Sequence, residues 1–187
     1  MRQIACAVLA LSLFACSSGD DFKSQAPVVP QSAPGSESGR VFDMTEHQFA
    51  RAFNQAAASF HHFFKIDIDQ LTVKTGAIDD YFRQQFLDDS SITVAFSKDS
   101  GRISSITILV AERNGSVDMH TLGTLAKIVM HTASPELSKE KVSRIVADMI
   151  QERTRENAPI IPQRYFDQAR YALRSSQLGF WWVAKPV

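Results

Sequence analysis

The amino-acid sequence predicts an α+β fold in which helices pack on a mostly antiparallel sheet, in the order α-β-β-β-β-α-α-β-β. Three observations carry this prediction. Apolar residues recur at helical spacing in three segments, and they alternate with polar residues in the segments between and after them. With 187 residues, 44% of them hydrophobic, the chain is also long enough to bury one core.

The first predicted helix begins in the stretch MTEHQFARAF. Thr45 and Gln48 have the spacing of an N-cap residue and its reciprocal partner in a capping box. From Phe49 to Phe64, apolar residues then recur on one side of the helix. We expect this apolar side to lie on the sheet.

Four strands are predicted after this helix. In the first, Ile66 and Ile68 alternate with charged residues, and the pattern continues to Val73 after a one-residue slip that suggests a bulge. Gly101 is placed for a left-handed turn between the last two strands. The remaining three strands are expected at residues 79–87, 91–96 and 102–112.

Two helices and two strands complete the prediction. The helical patterns cover residues 119–133 and 139–156, and the second of these has mixed charges on its outer side. The final two segments, 164–174 and 178–185, have the pattern of a closing hairpin around Ser175 to Gly179.

The overall charge argues against one class of function. The 20 basic and 20 acidic residues balance, so the chain has no net positive charge with which to hold phosphate backbones. We therefore expect no nucleic-acid partner. We also expect no cofactor.

The amino terminus has the pattern of an export signal. Arg2 precedes an uncharged stretch from Ile4 to Ala15, which is too short for a helix that spans a bilayer. The run ends in Leu13-Phe14-Ala15-Cys16, which resembles the lipobox of bacterial lipoproteins, although Phe14 is bulkier than the usual residue.

This resemblance implies cleavage before Cys16, diacylglycerol on its thiol and a further acyl chain such as palmitate on the new amino terminus. Residues 1–15 would then be the signal peptide. Two or more acyl chains give stable anchoring. Ser17 follows the cysteine, and by the sorting rule of this class it implies the outer membrane of a Gram-negative bacterium, with the domain facing the periplasm. The alternative is a plain signal peptide that leaves Cys16 as a free thiol.

Half of the residues from 17 to 40 are Ser, Gly or Pro, which is typical of a disordered tether. We therefore assign residues 16–40 to the lipidated cysteine and tether, and 41–187 to a single α+β domain. Beyond the lipobox, this domain is similar to small uncharacterised α+β envelope lipoproteins, and the similarity carries no functional residues.

A metal site is an alternative prediction. His61 and His62 end the first predicted helix, and Asp67 and Asp69 follow on one face of the next strand. Adjacent helical residues point about 100° apart, so the two imidazoles lack the i,i+4 arrangement of metal-binding helices. The structural interpretation places the histidines at a helix end and the aspartates on a solvated strand face.

Trp181 and Trp182 are the candidate partner-binding residues. Neighbours in a strand face opposite sides of a sheet, so one tryptophan is expected in the core and the other on the outer face. Exposed aromatic residues mark interaction surfaces. The alternative is that both side chains are covered.

Three hypotheses for the function follow. The first is a non-enzymatic outer-membrane lipoprotein that binds a protein partner or supports an envelope assembly. The second is a periplasmic lipoprotein that binds a metal or a small ligand. The third is an envelope hydrolase, for which the chain has no G-x-S-x-G or related motif.

Overall fold

A computed structural model describes residues 40–87, 89–155 and 161–187. The predicted signal peptide, Cys16 and the tether up to residue 39 lie outside the described residues. The helices are α1 (Glu46–Ser59), α2 (Met119–Ala133) and α3 (Lys139–Thr154). The strands are β1 (Asp80–Leu87), β2 (Ser90–Phe96), β3 (Ile103–Ala111), β4 (Gln163–Phe166), β5 (Ala169–Ser176) and β6 (Gly179–Pro186).

The six strands form one sheet in the order β1-β2-β3-β6-β5-β4. Each pair of neighbouring strands is antiparallel. The sheet therefore consists of two three-stranded meanders that meet in the middle, where the register of β3 and β6 places Ile108 opposite Trp182. The predicted α+β class and the antiparallel sheet are confirmed.

The helices begin at side chains that satisfy their first backbone N–H groups. Thr45 and Gln48 form the predicted capping box: the Gln48 N–H donates to Thr45 Oγ1 (3.3 Å), and the Thr45 N–H donates to Gln48 Oε1 (2.8 Å). Asp118 caps α2 by accepting from the backbone N–H groups of His120 and Thr121, and Ser138 caps α3 by accepting from that of Lys141.

The helices lie against one face of the sheet, which we call the inner face. The residues at its centre have no exposed surface. Burial of each large apolar side chain raises the free energy of unfolding by about 1.5–3 kcal/mol. The buried residues include Phe49 and Phe53 of α1, Leu122, Leu125 and Val129 of α2, Val142 and Met149 of α3, and Ile92, Val94, Ile106, Ile108, Leu173 and Trp182 of the sheet.

The strand predicted at Ile66 to Val73 is wrong. Residues 66–73 form bends, turns and irregular chain. Lys74, the next residue, forms an isolated bridge with Tyr81. Asn54 of α1 takes the place of a strand partner, because its amide donates to the Ile66 carbonyl (2.9 Å) and accepts from the Ile66 N–H (2.8 Å). Ile66 is buried, and Ile68 and Leu71 are partly buried against the core, although this segment does not join the sheet.

The segment 164–174, predicted as one strand, forms two. Asp167 has a left-handed backbone (φ 47°), which turns the chain between β4 and β5. The observed order is therefore α-β-β-β-α-α-β-β-β, with three strands on each side of the helix pair. The hairpin between β5 and β6 lies where it was predicted, and Gly179 is required there because a Cβ would lie 2.2 Å from the Val110 carbonyl oxygen.

Within the described ranges, each helix is too short or too polar to cross a membrane.

Candidate functional site

The structure does not bring the predicted metal ligands together. His61, Asp67 and Asp69 are exposed, and Asp67 uses its carboxylate to accept a hydrogen bond from the Asp69 backbone N–H (3.1 Å). His62 stacks on the ring of Phe64, with the centroids 4.1 Å apart. Among the described residues, no group of three or more His, Cys, Asp or Glu side chains is placed to hold a metal ion.

The imidazole of His62 is partly buried. Partial burial lowers the pKa of its imidazole, and the nearby positive charges of His120 and Lys127 lower it further. The neutral form of the His62 imidazole is therefore favoured.

The two tryptophans lie on opposite faces of the sheet, as the strand pattern predicts. Trp182 is fully buried on the inner face, with its ring 6.2 Å from that of Tyr171. Trp181 is half-buried on the other face, where its Nε1–H donates to Ser176 Oγ (3.0 Å). Of the pair, only Trp181 is therefore available to a partner.

We call the side of the sheet opposite the helices the open face. The strand registers place the following residues on it: Tyr81, Arg83 and Gln85 of β1, Ser91, Thr93 and Ala95 of β2, Ser105, Thr107 and Leu109 of β3, Trp181, Val183 and Lys185 of β6, Arg170, Ala172 and Arg174 of β5, and Gln163 and Tyr165 of β4. Tyr165 is 61% exposed and stands at the β4 edge.

The charged strand residues on the open face all carry the same sign. Among the strand residues just named, four are cationic and none is Asp or Glu, although the whole chain has 20 basic and 20 acidic residues. The cations are Arg83, Arg170, Arg174 and Lys185. A balanced chain thus presents a positive surface on one side, and such a surface attracts anionic groups over roughly one Debye length, about 8–10 Å.

Three of these cations surround a recess that we call the β5–β6 trough. Its volume is about 240 Å³, and it is lined by Gln163, Arg170, Ala172, Arg174, Val183 and Lys185. Ala172 and Val183 are cross-strand partners and form its floor, because their side chains are shorter than those around them. Arg170 and Arg174 stand on either side of Ala172 along β5, each about 7 Å from it along the strand.

The register of β5 and β6 brings like charges together at this trough. Arg170 is directly opposite Lys185, and Arg174 is directly opposite Trp181. Within the described part of the chain, the side chains of Arg170, Arg174 and Lys185 make no hydrogen bond or ion pair. Sequence reasoning missed this cluster, although the two arginines and Trp181 each fall on the outward side of an alternating strand.

A buried hydroxyl pair elsewhere has a structural role. Tyr171 and Ser134 are hydrogen-bonded through their hydroxyls (2.7 Å) inside the core. Burial raises the pKa of the Tyr171 hydroxyl, and the hydrogen bond to Ser134 opposes this only in part. The group therefore stays neutral and, with no exposed surface at Tyr171, has no access to a substrate.

The comparisons with known proteins supply no further assignment. No protein-family model matches the chain, and neither a curated protein nor a solved structure is significantly similar to it.

Proposed function

We propose that the chain is a non-enzymatic lipoprotein of the outer membrane, anchored through lipid on Cys16, and that its periplasmic domain binds an acidic protein partner through the open face. The observation that carries the binding part of this proposal is the charge of that face, which has four cations and no carboxylate among its strand residues. The anchoring part rests on the Leu13-Phe14-Ala15-Cys16 motif.

Two further features support a protein partner. Trp181 and Tyr165 add aromatic surface beside Arg174 and Arg170, and these are the residue types enriched in protein interfaces. The helices leave the face uncovered within the described ranges, since their contacts with the sheet are made on the inner side. Charge complementarity then favours a partner surface rich in Asp and Glu.

Crosslinking in native envelopes tests the binding. A photo-reactive amino acid at Tyr165 or Thr107 of the open face should yield a reproducible protein adduct, whereas the same group at Arg144, exposed on α3, should not. Charge reversal by Arg83→Glu should reduce the adduct formed from Thr107. Adducts with lipid alone, or equal adducts from Arg144, would refute the proposal.

The anchor has its own test. Cys16→Ala should abolish incorporation of labelled palmitate and release the protein from the outer-membrane fraction, because the acyl chains supply the membrane affinity. Unchanged fractionation of this variant would show that Cys16 is not the anchor.

A further inference from the structure

The β5–β6 trough has the features of a binding site in addition to those of a contact surface. Its three cations are held on two neighbouring strands of a six-stranded sheet, so their Cα positions are fixed by backbone hydrogen bonds on both sides. The floor of Ala172 and Val183 leaves space between them, and Gln163 adds an amide at the β4 side. The positive groups therefore point around a shared recess.

This arrangement opposes stability when the trough is empty. Like charges directly opposite each other across an antiparallel pair are destabilising, and Arg170 faces Lys185 without a carboxylate among the open-face strand residues to compensate them. An anion in the recess would remove this repulsion by accepting hydrogen bonds from both side chains. A negative group bound in the recess would therefore stabilise this arrangement.

The chemistry of the cluster indicates which anion. Arginine presents a planar fork of N–H donors that matches phosphate or carboxylate oxygens, and two such forks flank Ala172. Three positive charges favour a dianion over a monoanion, and a phosphate monoester carries close to two negative charges at neutral pH. A recess of about 240 Å³ accepts a phosphate with a small organic group, and it lies below the usual size of drug-like pockets.

We propose that the β5–β6 trough binds the phosphate group of a small phosphorylated solute through Arg170, Arg174 and Lys185. This goes beyond the acidic protein partner, because the ligand is a free small molecule. A flat bilayer surface would need the positive charges but not the recess, which favours a solute over a lipid headgroup.

Thermal unfolding of the purified full chain tests the site, with inorganic phosphate and glucose 1-phosphate as the probes. Both should raise Tm by several degrees at saturating concentration, since a ligand that binds only the folded state stabilises it. Acetate or chloride at the same ionic strength should leave Tm nearly unchanged. In calorimetry, Arg174→Gln and Arg170→Gln should each weaken phosphate binding about tenfold or more, as expected for loss of charged hydrogen bonds.

The matched control is Arg51→Gln, which removes an exposed arginine from α1 on the other side of the sheet and should keep wild-type affinity. If Arg174→Gln does not fold, as judged by circular dichroism, Arg174→Lys keeps the charge, loses the fork and should still bind more weakly. Equal Tm shifts with chloride, wild-type affinity in both arginine variants, or binding only to phosphatidylglycerol vesicles would overturn the proposal. None of these results depends on whether the crosslinking finds a protein partner.

Discussion

The two faces of the sheet are made by the same strands, yet they have different chemistry. On the inner face, Ile108, Trp182 and Leu173 lie side by side with no exposed surface. On the open face, the neighbouring positions Leu109, Trp181 and Arg174 are half-buried or exposed. Burial on the inner face therefore supplies most of the stability, and the open face can carry charges that do not stabilise the fold.

The largest expected difference in stability between the two faces comes from truncating each tryptophan. Trp182→Ala removes a fully buried side chain from the inner face, and we expect it to lower the free energy of unfolding by about 3–5 kcal/mol. Trp181→Ala removes one hydrogen bond and a half-buried side chain on the open face. It should lower the free energy of unfolding by at most about 1 kcal/mol. Urea unfolding of both variants measures the difference.

A third variant separates packing from hydrogen bonding. Among the described residues, the indole Nε1 of Trp182 has no hydrogen-bond partner although it is buried. Trp182→Phe keeps most of the ring volume and removes this unsatisfied donor, so it should cost much less than Trp182→Ala. Equal losses from Trp181→Ala and Trp182→Ala would show that the two faces contribute alike to stability.

The sequence predicts those elements whose ends are determined by residues close to them in the chain. Helix α2 begins and ends where its apolar spacing predicts, and the capping box of α1 forms as Thr45 and Gln48 indicate. The failure at Ile66 has a tertiary cause. Its alternation is that of a strand, but Asn54, twelve residues earlier, satisfies both of its backbone groups.

The trough could not be predicted for a similar reason. Arg170 and Lys185 meet only because the β5–β6 register pairs them, and that register depends on the turn before Gly179. The alternation of each strand shows that Arg170 and Arg174 share a face, but it does not show which residue stands opposite. The opposite faces of Trp181 and Trp182 required no register, which is why the sequence predicts them.

Acid should lower the stability of the fold in part through Asp118, the N-cap of α2. The backbone N–H and the hydroxyl of Thr121 donate to its carboxylate (3.0 and 2.7 Å) and lower its pKa, with help from the His120 N–H. A lowered carboxyl pKa contributes stability above the unfolded value of about 4, and this contribution is lost as pH falls through the folded pKa. Asp118→Ala also removes the N-cap of α2, and loss of such a cap should cost about 1 kcal/mol at neutral pH.

The control for this prediction is Asp118→Asn, which keeps an N-cap side chain but does not titrate. At neutral pH it should lie between the wild type and Asp118→Ala, because it keeps a cap but lacks the stabilising charge, and its unfolding free energy should fall less steeply below about pH 4. Urea unfolding between pH 2 and 7, a range chosen to span the usual Asp pKa of about 3.9, measures both effects. A wild-type acid dependence in Asp118→Asn would mean that Asp118 is not responsible for it.

The smallest expected change in stability is on the open face, and it depends on salt. Unlike the substitutions above, which lower the free energy of unfolding, removing a cation here should raise it. Arg170→Gln removes one of two facing cations, so at low salt it should raise the free energy of unfolding by about 0.2–0.5 kcal/mol. The gain should disappear near 1 M salt, where the Debye length is about 3 Å.

A double-mutant cycle assigns this gain to the pair. Lys185→Gln should give a similar gain, and the variant carrying both substitutions should gain less than the sum, because either one already removes the repulsion between the two side chains. Additive gains, or a loss of stability in Arg170→Gln, would contradict the proposed repulsion. If Arg170→Gln is both more stable and unable to bind phosphate, the like charges of the trough serve binding and lower the stability of the fold. The buried side chains of the inner face, in contrast, stabilise it.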